Sequence, residues 1–218
     1  MLLDAKRGFG QELPRYDICI VGAGAAGITL ALELEATGRR ICLLEAGGPG
    51  YEAATQRLYE GQVLGQPYPL LRDTRVSALG GSTTVWAGWC RPLEALDFER
   101  RDWCGACGWP FGLDDLRACY ARAHAICGLA DFDYDPDRWA GVLGSDRLLG
   151  GDATFSNEIF HANIQNFGER YRERLGRAKN IDLVLHAPVT RLRMEGPACA
   201  SAEIRTLGGH ELAVAADR

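Results

Sequence analysis

The sequence predicts an α/β fold: a parallel sheet begun by a strand, turn, helix and strand, then an inserted irregular and helical segment, then a β-meander. Three observations predict it. Between Tyr16 and Gly48 a short apolar run breaks into glycines, continues with helical spacing and ends in a second apolar run. Residues 75–92 form another glycine-rich segment. From Ile181 to Ala215, strand-like stretches follow one another across proline and glycine turns.

The first strand is Ile18-Cys19-Ile20-Val21, and it runs into Gly22-Ala23-Gly24-Ala25-Ala26-Gly27. Ile28, Leu30, Ala31, Leu32 and Leu34 then recur at helical spacing, and Gly38 is placed to close that helix. The second strand, Ile41-Cys42-Leu43-Leu44, ends on Glu45 and Ala46. Each residue type has a physical task in this order. Gly22 allows the tight turn, Gly24 admits a pyrophosphate close to the backbone, and Gly27 lets helix and strand touch. The N–H groups of Ala25 and Ala26 open the helix, where the macrodipole contributes roughly half a positive charge. Glu45 stands where its carboxylate accepts from adenosine ribose hydroxyls, which disfavours a 2′-phosphate and therefore NADP. The unit is a Rossmann-like FAD/NAD(P)-binding fold, and by itself it leaves FAD and NAD open.

Composition excludes several classes. The 218 residues carry a net charge of −5 without a basic cluster, so no nucleic-acid footprint is present. No apolar run approaches the roughly 20 residues of a membrane span, and residues 1–15 read as an irregular lead-in without a signal-peptide core, which implies a cytoplasmic protein. Of eight cysteines, Cys19 and Cys42 fall in buried strands, while Cys104 and Cys107 have CxxC spacing without the second half of a zinc site. Free thiols are the expectation, and no metal is predicted.

Beyond Glu45, the residues Ala46-Gly47-Gly48-Pro49-Gly50 form a turn, Glu52 to Leu64 a helical candidate, and 65–69 a proline-punctuated covering loop. In the second glycine segment, Gly80 and Gly81 permit close backbone approach, and Ser82, Thr83 and Thr84 offer hydroxyls and N–H groups to an anion. Trp86 and Trp89 supply flat surfaces; a glycine turn with buried tryptophans fits the same composition.

The pairing of VGAGAAGITLA and LLEAGG with LGGSTTVWAGWCRP resembles the glucose-methanol-choline (GMC) flavoprotein oxidoreductases over essentially the whole chain, nearest to their bacterial sugar and alcohol dehydrogenase branch. That resemblance implies FAD, with Gly80, Gly81, Ser82, Thr83, Trp86 and Ala87 along the pyrophosphate and flavin. Several members of that family carry a histidine before the tryptophan, in some joined to the flavin. Here Val85 stands there, so the attachment is expected to be non-covalent.

Further along, Asp114 is placed to cap a helix running to about Cys127, and His124 on it reads as structural. The acidic run from Asp131 to Asp137 lacks the glycine and distal glutamate of a calcium loop and reads as a solvated turn. Residues 141–162 read as irregular. A helix is expected from about Gln165 to Lys179, then a strand over Ile181–Leu185, a bend at Pro188, and a meander of Val189–Met194, Ala200–Thr206 and Glu211–Ala215. The family resemblance makes Ile181–Leu185 the third strand of the sheet and brings the backbone of Val189 to the adenine.

The resemblance also implies a returning strand, a substrate domain and a catalytic histidine after Arg218. His124, His161, His186 and His210 lie on different elements and match no catalytic motif. The expected function is therefore the FAD-binding amino-terminal part of an enzyme that oxidises an alcohol or sugar hydroxyl with hydride transfer to flavin, its catalytic residues outside these 218. Two other readings stay open: a flavin-binding module completed by another chain, and an NAD-dependent dehydrogenase domain.

Overall fold

The computed structural model describes residues 1–8, 13–101, 103, 108–145 and 155–218. In chain order its elements are β1 (Leu2–Asp4), β2 (Ile18–Val21), α1 (Ala25–Glu35), β3 (Ile41–Leu44), α2 (Ala53–Gln56), α3 (Leu71–Thr74), β4 (Trp89–Cys90), α4 (Ala95–Phe98), α5 (Leu113–Cys127), α6 (Pro136–Leu143), β5 (His161–Ala162), α7 (Phe167–Arg177), β6 (Ile181–Leu185), β7 (Val189–Glu195), β8 (Ala198–Arg205) and β9 (Glu211–Ala215). They form two compact units, one of Met1–Trp86 with Asn166–Arg218 and one of Ala87–Gln165.

The first unit is built on a four-stranded sheet of order β1-β6-β3-β2, all neighbours parallel. Side chains alternate across a strand, and here both faces are buried. Cys42 and Leu44 of β3 and Val184 of β6 join Ala202, Ile204 and Val214 of the antiparallel meander β7-β8-β9 in one core cluster. Ile41, Leu43 and Leu183, on the alternate positions, are fully buried on the other face, which α1 and α7 cover with Ile28, Ala31, Phe167 and Leu175. Each of the Ile, Leu, Val and Phe side chains, fully buried, contributes about 1.5–3 kcal/mol. Sheets buried on both faces read as continuous apolar runs rather than alternating ones, which is why β3 and β6 were visible as ICLL and LVL.

Residues 1–15 depart from the irregular lead-in that the sequence predicts. They are not wholly irregular: Leu2, Leu3 and Asp4 pair in register with Leu183, Val184 and Leu185 and form the sheet edge. The run is too short to carry a strand signal, and the pairing partner lies at the far end of the sequence. The N-terminal ammonium meets Asp182 at 3.1 Å, and the Tyr16 hydroxyl donates to the same carboxylate at 2.8 Å. At the opposite edge, Ala216 bridges Tyr16 in parallel and the Cys19 N–H donates to the Arg218 carbonyl at 2.8 Å, so residues 215–218 run beside β2.

The long helical candidate from Glu52 is shorter than expected. Helix α2 ends at Gln56 and one 3₁₀ turn, Arg57–Tyr59, follows. Gln56 explains the stop: its side-chain amide donates to the carbonyls of Arg72 and Arg75 and its oxygen accepts from the Ser77 N–H, tying the covering loop down. Helix α7 begins after Asn166, whose side chain accepts from the Glu169 N–H.

In the second unit, α5 has its expected span, but the cap is corrected: Asp115 accepts from the Gly112 N–H at 2.8 Å, while Asp114 pairs with Arg117. Helix α6 was missed within the acidic run. Asp135 caps it through the Asp137 N–H and Pro136 fills its first turn, a start signal hidden among carboxylates. Asp131 and Asp133 pair with Arg138. His161, in β5, donates from its ring to the Asp133 carbonyl, and His124 donates to the Ala130 carbonyl and bonds the Tyr134 hydroxyl. Cys104 and Cys107 lie outside the described residues.

Candidate functional site

Three turns at the carboxyl ends of parallel strands, where open α/β sheets bind ligands, come together in the first unit with the second glycine segment. The turn after β2 is shaped by glycine. Gly22 has φ +99°, and a Cβ on Gly27 would overlap the Gly22 carbonyl oxygen, so α1 packs onto the turn only with glycine there. Gly24 caps α1, and no side chain caps that helix start. Ala25 is half-buried and Ala26 exposed, which leaves the first turn facing outward with its dipole unneutralised by protein side chains.

The turn after β3 is held by Glu45. One carboxylate oxygen accepts the Ala23 N–H and the other the Gly47 N–H, each at 2.9 Å. Glu45 is only 6% exposed. Burial raises its pKa, while the bonds from Gly47, Ala23 and Ala46 work against that rise. Three of the roughly four lone-pair positions of a carboxylate are thereby used, so Glu45 is first a lock on the glycine turn, with one acceptor position left. Ala46 beside it is half-buried.

The second glycine segment docks onto both turns by main-chain bonds. The Gly80 N–H donates to the Ala23 carbonyl at 2.8 Å, and the Leu79 N–H to the Gly48 carbonyl at 2.9 Å. Parallel bridges join Gly24 with Gly80 and Gly48 with Ala78. A Cβ on Gly81 would lie 3.1 Å from the Gly24 Cα, so two glycines face each other across bare backbone. Gly80 has φ +96°, and a Cβ there would meet the Gly168 nitrogen at 2.6 Å. Glycine is therefore required there by the start of α7.

The remaining sequence-predicted residues fall in different surroundings. Ser82 is exposed. Thr83 is buried, and its hydroxyl donates to the Gly80 carbonyl at 2.6 Å and accepts from the Phe167 N–H at 3.1 Å, which fixes the segment to α7. Trp86 packs edge-on against Phe167. Val85 is 73% exposed. Ala87 begins the second unit. Val189, half-buried, opens β7 and packs against the core beneath the meander.

Sequence reading missed a polar network at the same strand ends. His186, 5% exposed, follows β6 with φ +54°. Its Nδ1 lies 2.7 Å from Asp4 Oδ1 and its Nε2 2.8 Å from Glu52 Oε1, and Lys6 Nζ reaches the other Glu52 oxygen at 2.6 Å. The Asp4 carboxyl is pushed up by burial, but the bonds from His186 and Lys6 prevail and lower it. Glu52 is held low by Lys6 first and His186 second. No local pattern announces this cluster, because its members come from β1, the segment after β3 and the end of β6.

The fold and this paired-glycine backbone define a dinucleotide-binding flavoprotein domain. The chain belongs to the FAD dependent oxidoreductase family, whose model, DAO, matches residues 17–216. It is similar to the oxygen-dependent choline dehydrogenase of Rhizobium etli (strain CIAT 652), at 27% identity over 166 residues, 68% of this chain and 28% of that protein. The Pseudomonas fluorescens (strain SBW25) choline dehydrogenase is 34% identical over 132 residues, 59% of this chain and 19% of that one. Among solved structures, pyridoxine 4-oxidase from Mesorbium loti shares the fold, with a TM-score of 0.59, 23% identity, and coverage of 94% of this chain and 48% of that one. The GMC resemblance read from the two glycine segments agrees with these relatives. The chain spans about a quarter of the length of the first and under half of the last. Among the described residues no helix is long and apolar enough to cross a membrane.

FAD is the cofactor of this family, and the residues present fit it. An uncapped helix start, a turn that needs Gly22 and Gly27, and facing Gly24 and Gly81 without side chains leave backbone accessible to a pyrophosphate.

Proposed function

We propose that this chain is the FAD-binding part of an oxidoreductase that takes a hydride from a CH–OH donor, an alcohol or sugar. The observation that carries it is the docking of the Gly80 segment onto the Gly22–Gly27 turn by the Gly80 to Ala23 bond. An NAD-binding domain has no use for such a second segment. When bound, FAD supplies the hydride acceptor.

The chain's own residues have separable tasks in this reading. The N–H groups of Gly24, Ala25, Ala26 and Gly27 hold the pyrophosphate at the start of α1. Glu45, with Ala46 beside it, accepts from the adenosine ribose, and Val189 borders the adenine. Gly80, Gly81 and the exposed Ser82 line the path toward the flavin, with Thr83 as an internal brace and Trp86 and Ala87 at its end. Val85 has no nucleophilic atom, so the cofactor is held without a covalent bond. Relatives named as a choline dehydrogenase and a pyridoxine oxidase support an alcohol donor. The catalytic acid–base group is assigned to the portion of such enzymes that this chain does not span.

Reconstitution tests the reading. The purified chain, incubated with FAD and desalted, is expected to retain flavin absorbance and to release all of it on acid precipitation. Retention of NAD in its place would sink the flavin assignment, and colour remaining in the acid pellet would sink the non-covalent one.

A further inference from the structure

We propose that His186 is a positioning residue for the adenosine half of the cofactor, acting by clamping Asp4 and Glu52 together behind the Glu45–Gly48 turn. The inference rests on the proposed FAD site. Its geometry is that of a strut. The His186 N–H donates to the Gly47 carbonyl at 2.9 Å and the Ala187 N–H to the Glu45 carbonyl at 2.8 Å, so the residue following β6 is bonded directly to the turn that carries the ribose acid. Its ring lies against Gly48: a Cβ there would come within 2.6 Å of Nε2 and would also overlap Glu52 Oε1. Gly48 is thus glycine because the clamp occupies the space.

The ring's two nitrogens each face a carboxylate oxygen, and carboxylates only accept. A ring N–H donating to a carboxylate oxygen is a charge-assisted bond, roughly twice as strong as a neutral one. Lys6 closes the set on the far oxygen of Glu52. The charged groups around the ring are therefore Asp4 from β1, Lys6 from the turn after it, and Glu52 from the segment before α2. Glu45 is reached only through its main chain. A left-handed backbone at a buried histidine persists only where its surroundings hold it. Through its two ring nitrogens and its main chain, His186 ties the sheet edge and the α2 segment to the Glu45–Gly48 turn.

The test separates adenosine from flavin. Isothermal titration of the full chain would be run with FAD, ADP and FMN, using the wild type, Glu52→Gln and His186→Asn. Asparagine tolerates the left-handed backbone but spans only one carboxylate, so it keeps the turn and loses the clamp. Loss of one charge-assisted bond behind the ribose turn corresponds to FAD and ADP dissociation constants raised about tenfold in both variants. FMN, which lacks the adenosine, is expected to be unaffected. Wild-type affinity for ADP in either variant would overturn the proposal, as would an equal fall for ADP and FMN, which would mark the network as general support. A wild-type chain that takes up neither FAD nor ADP would instead overturn the cofactor site on which the inference rests.

Discussion

The Gly80 N–H donates to the Ala23 carbonyl at 2.8 Å, joining the two glycine segments of the chain into one backbone surface. Gly80 holds this position at φ +96° with the nitrogen of Gly168 on α7 directly against it. Gly80→Ala is therefore expected to lose about 2 kcal/mol, from a strained left-handed residue and a clash with the α7 start. Urea unfolding checks this, and an unchanged midpoint would show that α7 can move away.

Gly27→Ala attacks the same surface from the other side. Its Cβ would fall on the Gly22 carbonyl, a backbone atom that cannot swing aside as a side chain can. The expected loss is about 3 kcal/mol in stability, with FAD retention on desalting abolished. A stable variant that keeps FAD would mean that α1 can tilt without opening the turn.

The carboxyls of Asp4 and Glu52 are both held below their ordinary range in the fold. A lowered folded pKa contributes stability that is present above the unfolded value of about 4 and is lost as pH falls through the folded value. Denaturant midpoints measured from neutrality down into the acid range should decline, and Asp4→Asn should flatten the lower part of that decline. A profile identical to wild type would exclude Asp4 as a contributor.

Glu45 has the opposite sign. Burial raises its pKa, so its contribution is largest below the unfolded value and diminishes as pH rises through the folded one. Glu45→Gln removes that pH dependence but keeps only one acceptor oxygen for the Ala23 and Gly47 N–H groups. ADP binding is expected to weaken about tenfold, the worth of a charged hydrogen bond. Equal ADP affinity in Glu45→Gln and wild type would remove Glu45 from the site.

Much of the first unit was legible because its signals are local. Gly22 marks the turn by its positive φ and Gly27 by what a Cβ would do to it, α1 ends at Glu35 with Gly38, at φ +69°, in the turn after it rather than as its cap, and the runs ICIV, ICLL and IDLVL are strands by apolar continuity. Two errors share a cause: β1 and the short α2 are decided by partners far along the chain, Val184 for the first and the Ser77 loop for the second. Helix α6 is different, since Asp135 and Pro136 were a readable start that the surrounding carboxylates masked.

The sequence by itself determined that this chain binds a dinucleotide and, through its second glycine segment, pointed to FAD, because a glycine's conformational freedom and an acid after a strand have meaning at fixed spacing. Only the tertiary structure decided how those pieces are held. Glu45 turned out to lock the glycine turn, Thr83 to brace α7, and His186 to join Asp4 to Glu52. Such roles depend on distance in space between residues remote in sequence, and parallel strands joined by long crossovers leave no trace of that distance in local spacing.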